Sequence, residues 1–267
     1  MSDRYAAFHA LHHADVPLLL PNAWDASAAA LAGQGHPAIG TTSLGVAASA
    51  GKPDGAAATR AENLALAHRL RPLPVLLTVD VEGGFADEPS AVAEYVAELA
   101  ALGVVGINLE DGRPDGTLEP VGRTVAKIAA VRAAVPGLFV NARTDAWWLG
   151  VPEPLAEAVG RVRAYRAAGA DGVFVPAAPD DTLGLLVAEA GVPLNVLHRS
   201  GGPGLRELGR LGVARVSTGS LLFRAALGAA LDVADALRSG RDAGPVTVPS
   251  YARVQEWSGW FGVSRAR

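Results

Sequence analysis

Three observations on this 267-residue sequence predict an α/β fold of the (β/α)8 barrel type. Short apolar runs alternate with alanine-rich helical patterns along the chain, and there are eight of each. The runs are bounded by glycine and proline, as buried parallel strands are. No glycine-rich phosphate turn follows the first run, which continues Pro21-Asn22-Ala23-Trp24-Asp25. Such a turn would favour a doubly wound sheet, the other architecture this alternation allows. Strands are expected at 17–23, 38–42, 75–81, 104–109, 138–142, 172–176, 194–197 and 213–218. Helices are expected at 26–33, 60–70, 90–102, 123–135, 153–168, 180–190, 205–211 and 220–237. Pro89-Ser90 opens the third helix and Gly103 stops it, while Gly169 and Gly191 close two others.

The barrel is expected to span 1–244. The remainder, 245–267, carries Tyr251, Trp257, Trp260 and Phe261 among charges. That many aromatics suggest a docking segment, on a neighbouring subunit or over the N-terminal face of its own barrel.

Half the residues are hydrophobic, enough for one large core, and the formal charge of −4 argues against nucleic-acid or anionic-membrane partners. Without cysteine there is no disulfide, thiolate zinc site or cysteine nucleophile, which fits a reducing compartment. The first residues lack a basic segment followed by an uninterrupted apolar one, and Arg224, Asp232 and Asp235 break the apolar stretch 221–237. A soluble, cytoplasmic protein is expected.

Chemistry concentrates at the ends of the runs. The third reads Pro74-Val75-Leu76-Leu77-Thr78-Val79-Asp80-Val81-Glu82-Gly83-Gly84-Phe85, an apolar strand ending in two carboxylates. The C-terminal edge of a parallel barrel is where ligands bind. Neighbouring tips add Asn22, Trp24, Thr42, Ser43, Asn108, Glu110, Asp111, Arg143, Asp145, Asn195 and His198, and Asp54 sits in the turn Lys52-Pro53-Asp54-Gly55. Carboxylates gathered from separate strands repel unless a cation joins them, and oxygen ligands select a hard dication, Mg2+ or Mn2+. Asp80 and Glu110 are the expected metal carboxylates, with Glu82 and Asp54 reaching through water. Arg143 can grip a substrate carboxylate with its planar fork. Thr42 and Ser43, with the backbone N–H groups of Leu44 and Gly45, can complete the cradle.

Each residue also has a structural reading. Asp54 can be a turn former, Arg143 with Asp145 an internal ion pair, and His198 a hydrogen-bonded structural histidine. Asp111 is expected to brace the next loop, and Trp147 and Trp148 either wall the pocket or cover its rim. The turns Ser200-Gly201-Gly202-Pro203-Gly204 and Thr218-Gly219-Ser220 can cradle a phosphate or simply let helices pack.

Taken together, Pro21-Asn22-Ala23-Trp24-Asp25, Thr42-Ser43-Leu44-Gly45, Pro53-Asp54-Gly55, Asp80-Val81-Glu82-Gly83-Gly84-Phe85, Ile107-Asn108-Leu109-Glu110-Asp111 and Asn141-Ala142-Arg143-Thr144-Asp145 resemble the isocitrate lyase/phosphoenolpyruvate mutase superfamily, and within it the short phosphonomutase-like branch. The likeness covers roughly 18–236. It implies a modified (β/α)8 barrel in a homo-oligomer, usually a tetramer, whose last barrel helix is exchanged between subunits. It implies Mg2+ and a 2-oxo or 2-hydroxy acid, with a C–C or P–C bond made or broken beside an enolate. Asp80 would be the direct metal ligand, and Glu82 and Glu110 the water-linked carboxylates. Arg143 would hold the substrate, Thr42, Ser43, Leu44 and Gly45 would cradle it, and Asp54 matches the loop aspartate. Trp24 and Asn195 are further expected substrate contacts.

The departures bear on the reaction. Isocitrate and methylisocitrate lyases carry a Lys-Lys-Cys-Gly-His lid where this chain has Gly112-Arg113-Pro114-Asp115-Gly116-Thr117. Glu82 replaces the usual Asp, Gly84-Phe85-Ala86 the usual Gly-Tyr-Gly, and His198 stands where lyases place a glutamate. The sequence therefore points to a Mg2+-dependent C–C lyase other than those two, with Asp54 or His198 moving the proton. A P–C bond enzyme and a non-catalytic carboxylate-binding relative are the alternatives.

Overall fold

The computed structural model describes residues 2–244 and 247–262. Its strands are β1 (Leu18–Leu20), β2 (Asn22–Ala23), β3 (Ala38–Thr41), β4 (Leu76–Asp80), β5 (Gly106–Glu110), β6 (Phe139–Arg143), β7 (Gly172–Phe174), β8 (Leu194–Leu197) and β9 (Val213–Ser217). All pair in parallel, in the order β1-β9-β8-β7-β6-β5-β4-β3-β2. β1 and β2 are successive halves of one run split at Pro21, whose nitrogen has no hydrogen to donate. The first half pairs with β9 and the second with β3, so the ring closes. Asn22 staples that closure. Its Oδ1 accepts from the backbone N–H groups of Thr218 (3.0 Å) and Gly219 (2.9 Å), and its Nδ2 donates to the Thr41 carbonyl (2.7 Å).

The helices are α1 (Ser2–Ala10), α2 (Ser27–Gly33), α3 (Ser43–Ser49), α4 (Arg60–Leu70), α5 (Pro89–Ala101), α6 (Val121–Ala134), α7 (Pro154–Ala167), α8 (Leu183–Ala190), α9 (Leu205–Arg210), α10 (Leu221–Arg238) and α11 (Tyr251–Gly259). Every expected strand and helix is present with modest shifts at the ends, and the helix expected from 180 opens as a 3-10 turn. Alternation along the strands sets the two faces. Ile107 and Leu109 of β5 pack outward into the helix-covered core, while Asn108 and Glu110 face the interior and its mouth.

Three helices were not expected: α1, α3 and α11. The first closes the N-terminal end of the barrel. Phe8 is fully buried with Leu18, Leu20, Ala38, Val105 and Phe139, and Arg4 donates to the Val75 carbonyl (2.7 Å). A side chain at Gly106 would come within 2.7 Å of the Phe8 ring, so only glycine lets β5 pass the plug. The aromatic tail, expected on a neighbouring subunit or over that N-terminal face, packs in its described part on the side of the barrel. Trp257 and Trp260 of α11 and its end pack on the barrel flank at Gly33 of α2. Residues 245–246 and 263–267 of that segment lie outside the described residues.

Among the described residues, no helix is long and apolar enough to cross a membrane.

Beneath the plug's edge, His12 is buried and stacked on Phe139 at 4.1 Å between ring centres. Burial, reinforced by the nearby Arg215 charge, lowers its pKa to about 3 from the ordinary 6.5. The folded state therefore binds fewer protons than the unfolded state between these values. Stability is fully present above about 6.5 and is lost as pH falls, by about 1.4 kcal/mol per pH unit. Urea unfolding at pH 7 and pH 5 should show that loss in the wild type and a shallower one in His12→Gln.

Candidate active site

At the C-terminal ends of the strands a cavity of about 650 Å3 opens between the β-to-α loops. Its wall includes Thr42, Ser43, Leu44, Asp54, Asp80, Glu110, Arg143 and His198, which the sequence singled out. It also includes Asn22, Asn108, Asp145, Trp148, Arg199, Thr218, Ser220 and Arg224. Glu82, Trp24, Gly45 and Asn195 are not part of this wall.

Asp80 ends β4 and is 8% exposed. Its Oδ1 accepts the Glu82 backbone N–H at 3.2 Å, and among the described residues no cationic side chain touches it. Burial pushes its pKa up to about 6, opposed by the charge of Arg143 and aided by Glu82 and Asp54. Glu110, at the tip of β5, meets Arg143 instead, in an ion pair with Nη1 2.7 Å from Oε2. Arg143 Nε donates to Asp145 Oδ1, also at 2.7 Å. Burial raises both carboxyls above their usual range, and the carboxylates in turn hold the guanidinium firmly charged. The internal ion pair and the pocket-facing arginine are thus the same residue. Its Nη2 makes no hydrogen bond with the described residues, and the Phe174 and Trp148 rings flank it at 5.5 and 5.9 Å.

Asp145 is itself positioned by Asp111, which is fully buried. Asp111 Oδ1 accepts the Asp145 backbone N–H (2.8 Å), while Oδ2 accepts from Tyr165 Oη (2.6 Å) and Arg161 Nη1 (3.0 Å). This is the brace the sequence suggested. Trp148 walls the pocket, and Trp147 packs on the core.

Glu82 turns to an adjoining cavity of about 310 Å3, which Glu110 also borders. Thr59 Oγ1 donates to its Oε1 and the Ala57 N–H to its Oε2, both at 2.9 Å. Its φ of 48° is left-handed, as is that of Phe85 at 58°. A β-free glycine would adopt this cheaply; a glutamate does so at a cost of about 1–3 kcal/mol, a pattern common at functional sites. Trp24 packs edge-on against Phe223 at 5.2 Å and lies against Gly45, where a side chain would come within 2.7 Å. Both therefore shape the start of α3 from behind, because the Ser43–Gly45 stretch is a helix turn rather than an open loop. Asn195 is 1% exposed and lies one layer below, paired in register with Arg215. His198 and Asp54 are exposed on the wall, and the His198 side chain makes no hydrogen bond with the described residues.

The wall residues that sequence reasoning passed over are mostly arginines, Arg113 and Arg199 on loops and Arg224 in the first turn of α10, for which no spacing gives a signal. Asn108 is named at its strand tip without a role, although it alternates with Glu110 inside an otherwise apolar strand.

Among the described residues no three acidic or histidine side chains gather closely enough to hold a metal unaided. The donors still fit a hard dication. All are oxygens, Asp80 is buried without a contacting cation, and Mg2+ ordinarily keeps several waters while using one or two carboxylates.

Comparison with known proteins agrees with this geometry. The chain is 47% identical over 253 residues to the uncharacterized protein Rv1998c of Mycobacterium tuberculosis, covering 93% of this chain and 95% of that one. It is 36% identical over 211 residues to the oxaloacetate decarboxylase of Ectopseudomonas mendocina, covering 73% and 69% respectively. The crystal structure of a phosphonopyruvate hydrolase complexed with oxalate and Mg2+ superposes with a TM-score of 0.82 at 26% identity, over 96% of this chain and 95% of that one. The profile of the phosphoenolpyruvate phosphomutase family matches residues 8–238, and with these likenesses the chain belongs to that family, whose members are lyases and mutases.

Proposed function

We propose that this protein is a Mg2+-dependent lyase, with Mn2+ as a possible substitute, that cleaves or forms a C–C bond next to the enolate of a small 2-oxo or 2-hydroxy carboxylic acid. The observation that carries this reading is the pairing, in one pocket, of a buried Asp80 with an Arg143 Nη2: among the described residues the first has no cationic partner and the second no hydrogen bond. A dication held by Asp80, with Glu110 and Glu82 acting through water, would supply Lewis acidity worth several kcal/mol.

The chain's own residues do the rest. Arg143 Nη2 grips the acid and neutralises charge developing on its oxygen. Thr42, Ser43 and the first N–H of α3 beyond them, at Leu44, orient the other end. Trp24 and Gly45 act from behind, by setting where that helix begins. Asn195 supports the floor. Asp54 and His198, both at the solvent edge of the pocket, are the two groups able to carry a proton to or from the product carbon. Asp145 holds Arg143 in place.

The decarboxylase likeness supports C–C chemistry, and the hydrolase likeness supports a second reading, P–C cleavage, that uses the same groups. A Mg2+-supplemented screen of oxaloacetate, substituted malates and phosphonopyruvate separates them. Release of pyruvate or CO2 from a carbon acid is the expected result; turnover of phosphonopyruvate alone selects the second reading. Arg143→Lys keeps the charge but loses the fork and should lower kcat by about 10²–10³. Undiminished turnover would remove Arg143 from the mechanism.

We further propose a homo-oligomer, a dimer or tetramer, in which α10 packs on a neighbouring copy, and a cytoplasmic location consistent with the lack of cysteine. α10 supports the first point: only Phe223 and Ala236 are buried, while Leu227, Leu231 and Leu237 are 49%, 69% and 64% exposed. Leu231→Glu should shift the sedimentation profile toward monomer. An unchanged profile would exclude that face as the interface.

A further inference from the structure

Below the pocket floor, on the barrel axis, Arg215 of β9 is fully buried. No carboxylate touches it among the described residues. Its Nη2 donates to Asn108 Oδ1 at 2.7 Å, and its Nη1 lies 3.5 Å from His12 Nε2. The other ring nitrogen of His12 is 2.8 Å from the Phe8 carbonyl and must carry the hydrogen, so Nε2 presents its lone pair to the guanidinium. Burial lowers the Arg215 pKa to about 9, which leaves it charged at neutral pH.

This arrangement settles the orientation of an amide. A guanidinium only donates, so the atom of Asn108 facing Arg215 is the oxygen. The same oxygen accepts from Asn141 Nδ2 at 2.8 Å. Both lone-pair directions of Asn108 Oδ1 are then used from below, and its NH2 group must point elsewhere. That group donates to no side chain or backbone atom among the described residues, and Asn108 lines the pocket beside Asp80 and Glu110. A fixed amide donor without a protein acceptor, set among carboxylates, has an oxygen-bearing ligand as its natural acceptor.

We propose that Asn108 is a substrate-contacting residue whose NH2 donates to an oxygen of the bound acid, and that Arg215 is a positioning residue that locks the amide in the donating orientation. The inference rests on the reading of the pocket as a carboxylic-acid site. Arg215 also puts a positive charge under the site without offering a donor to the ligand.

The test is calorimetric titration of oxalate into the Mg2+-supplemented protein, for the wild type, Asn108→Ala, Arg215→Lys and the double variant, each checked for folding by thermal melting. The expected wild-type result is saturable binding, weakened roughly 10- to 100-fold in Asn108→Ala, the size of one hydrogen bond to a charged group. Mg2+ affinity without oxalate should stay within about twofold, which a general structural defect would not allow. Arg215→Lys should weaken oxalate in the wild-type background and add little in the Asn108→Ala background, because it acts through that amide. Wild-type protein that ignores oxalate overturns the acid-site reading and this inference with it. Equal oxalate affinity in wild type and Asn108→Ala overturns the inference alone. An equal Arg215→Lys effect in both backgrounds overturns the positioning role. Should Arg215→Lys fail to fold, the Asn108→Ala result decides.

Discussion

The structure depends on how a closed barrel tolerates negative charge at its mouth. Asp80 and Asp145 are buried and Glu110 is largely so around a single guanidinium, and Glu82 and Asp54 add to the field that Asp80 experiences. At an effective dielectric of about 20, two like charges 4 Å apart repel by about 4 kcal/mol. Arg143 takes two of these carboxylates. Asp80 is left without a contacting cation, and burial raises its pKa to about 6 despite the nearby charge of Arg143.

Much of the surrounding architecture keeps this arrangement rigid. Asp111 is satisfied on both oxygens and fixes the backbone of Asp145, so Arg143 is held through two successive carboxylates. The loop after β4 stores strain at Glu82 and Phe85 and is anchored by the bonds of Glu82 to Thr59 and Ala57. Below, α1 seals the barrel with Phe8, and the layer above that seal is polar, with Arg215, Asn108, Asn141 and Asn195. Both amide atoms of Asn195 and Nε of Arg215 have no hydrogen-bond partner among the described residues. Polar interiors of this kind are costly unless used, which ties the axis of the barrel to the site above it.

The barrel was legible because its strands are short apolar runs closed by glycine and proline, a signal that survives without any knowledge of contacts. The tips were legible for the same reason, since a carboxylate ending an apolar strand can only emerge at the mouth. What the sequence concealed was direction. Asp80 and Glu82 are two residues apart, yet the left-handed backbone at Glu82 sends its carboxylate into a different cavity. Trp24 and Gly45 looked like ligand contacts because they adjoin Thr42 and Ser43, but the close approach of Trp24 to Gly45 is a packing contact. α3 leaves no helix signal, since its seven residues contain a glycine and few periodic apolar positions. Arg215 drew no notice because one arginine in a strand carries no spacing signal, and only closure of the ring places it on the axis.

Asp80 meets no cationic side chain among the described residues because, on this reading, a dication is its partner. The most direct measurement is an isothermal titration of Mg2+ into the wild type and into Asp80→Asn, which keeps the shape and removes the charge. The wild type should show a single saturable site that disappears in the variant while the melting temperature is kept or raised, since a buried charge has been removed. Mg2+ binding of equal strength in both proteins, or in neither, would contradict it.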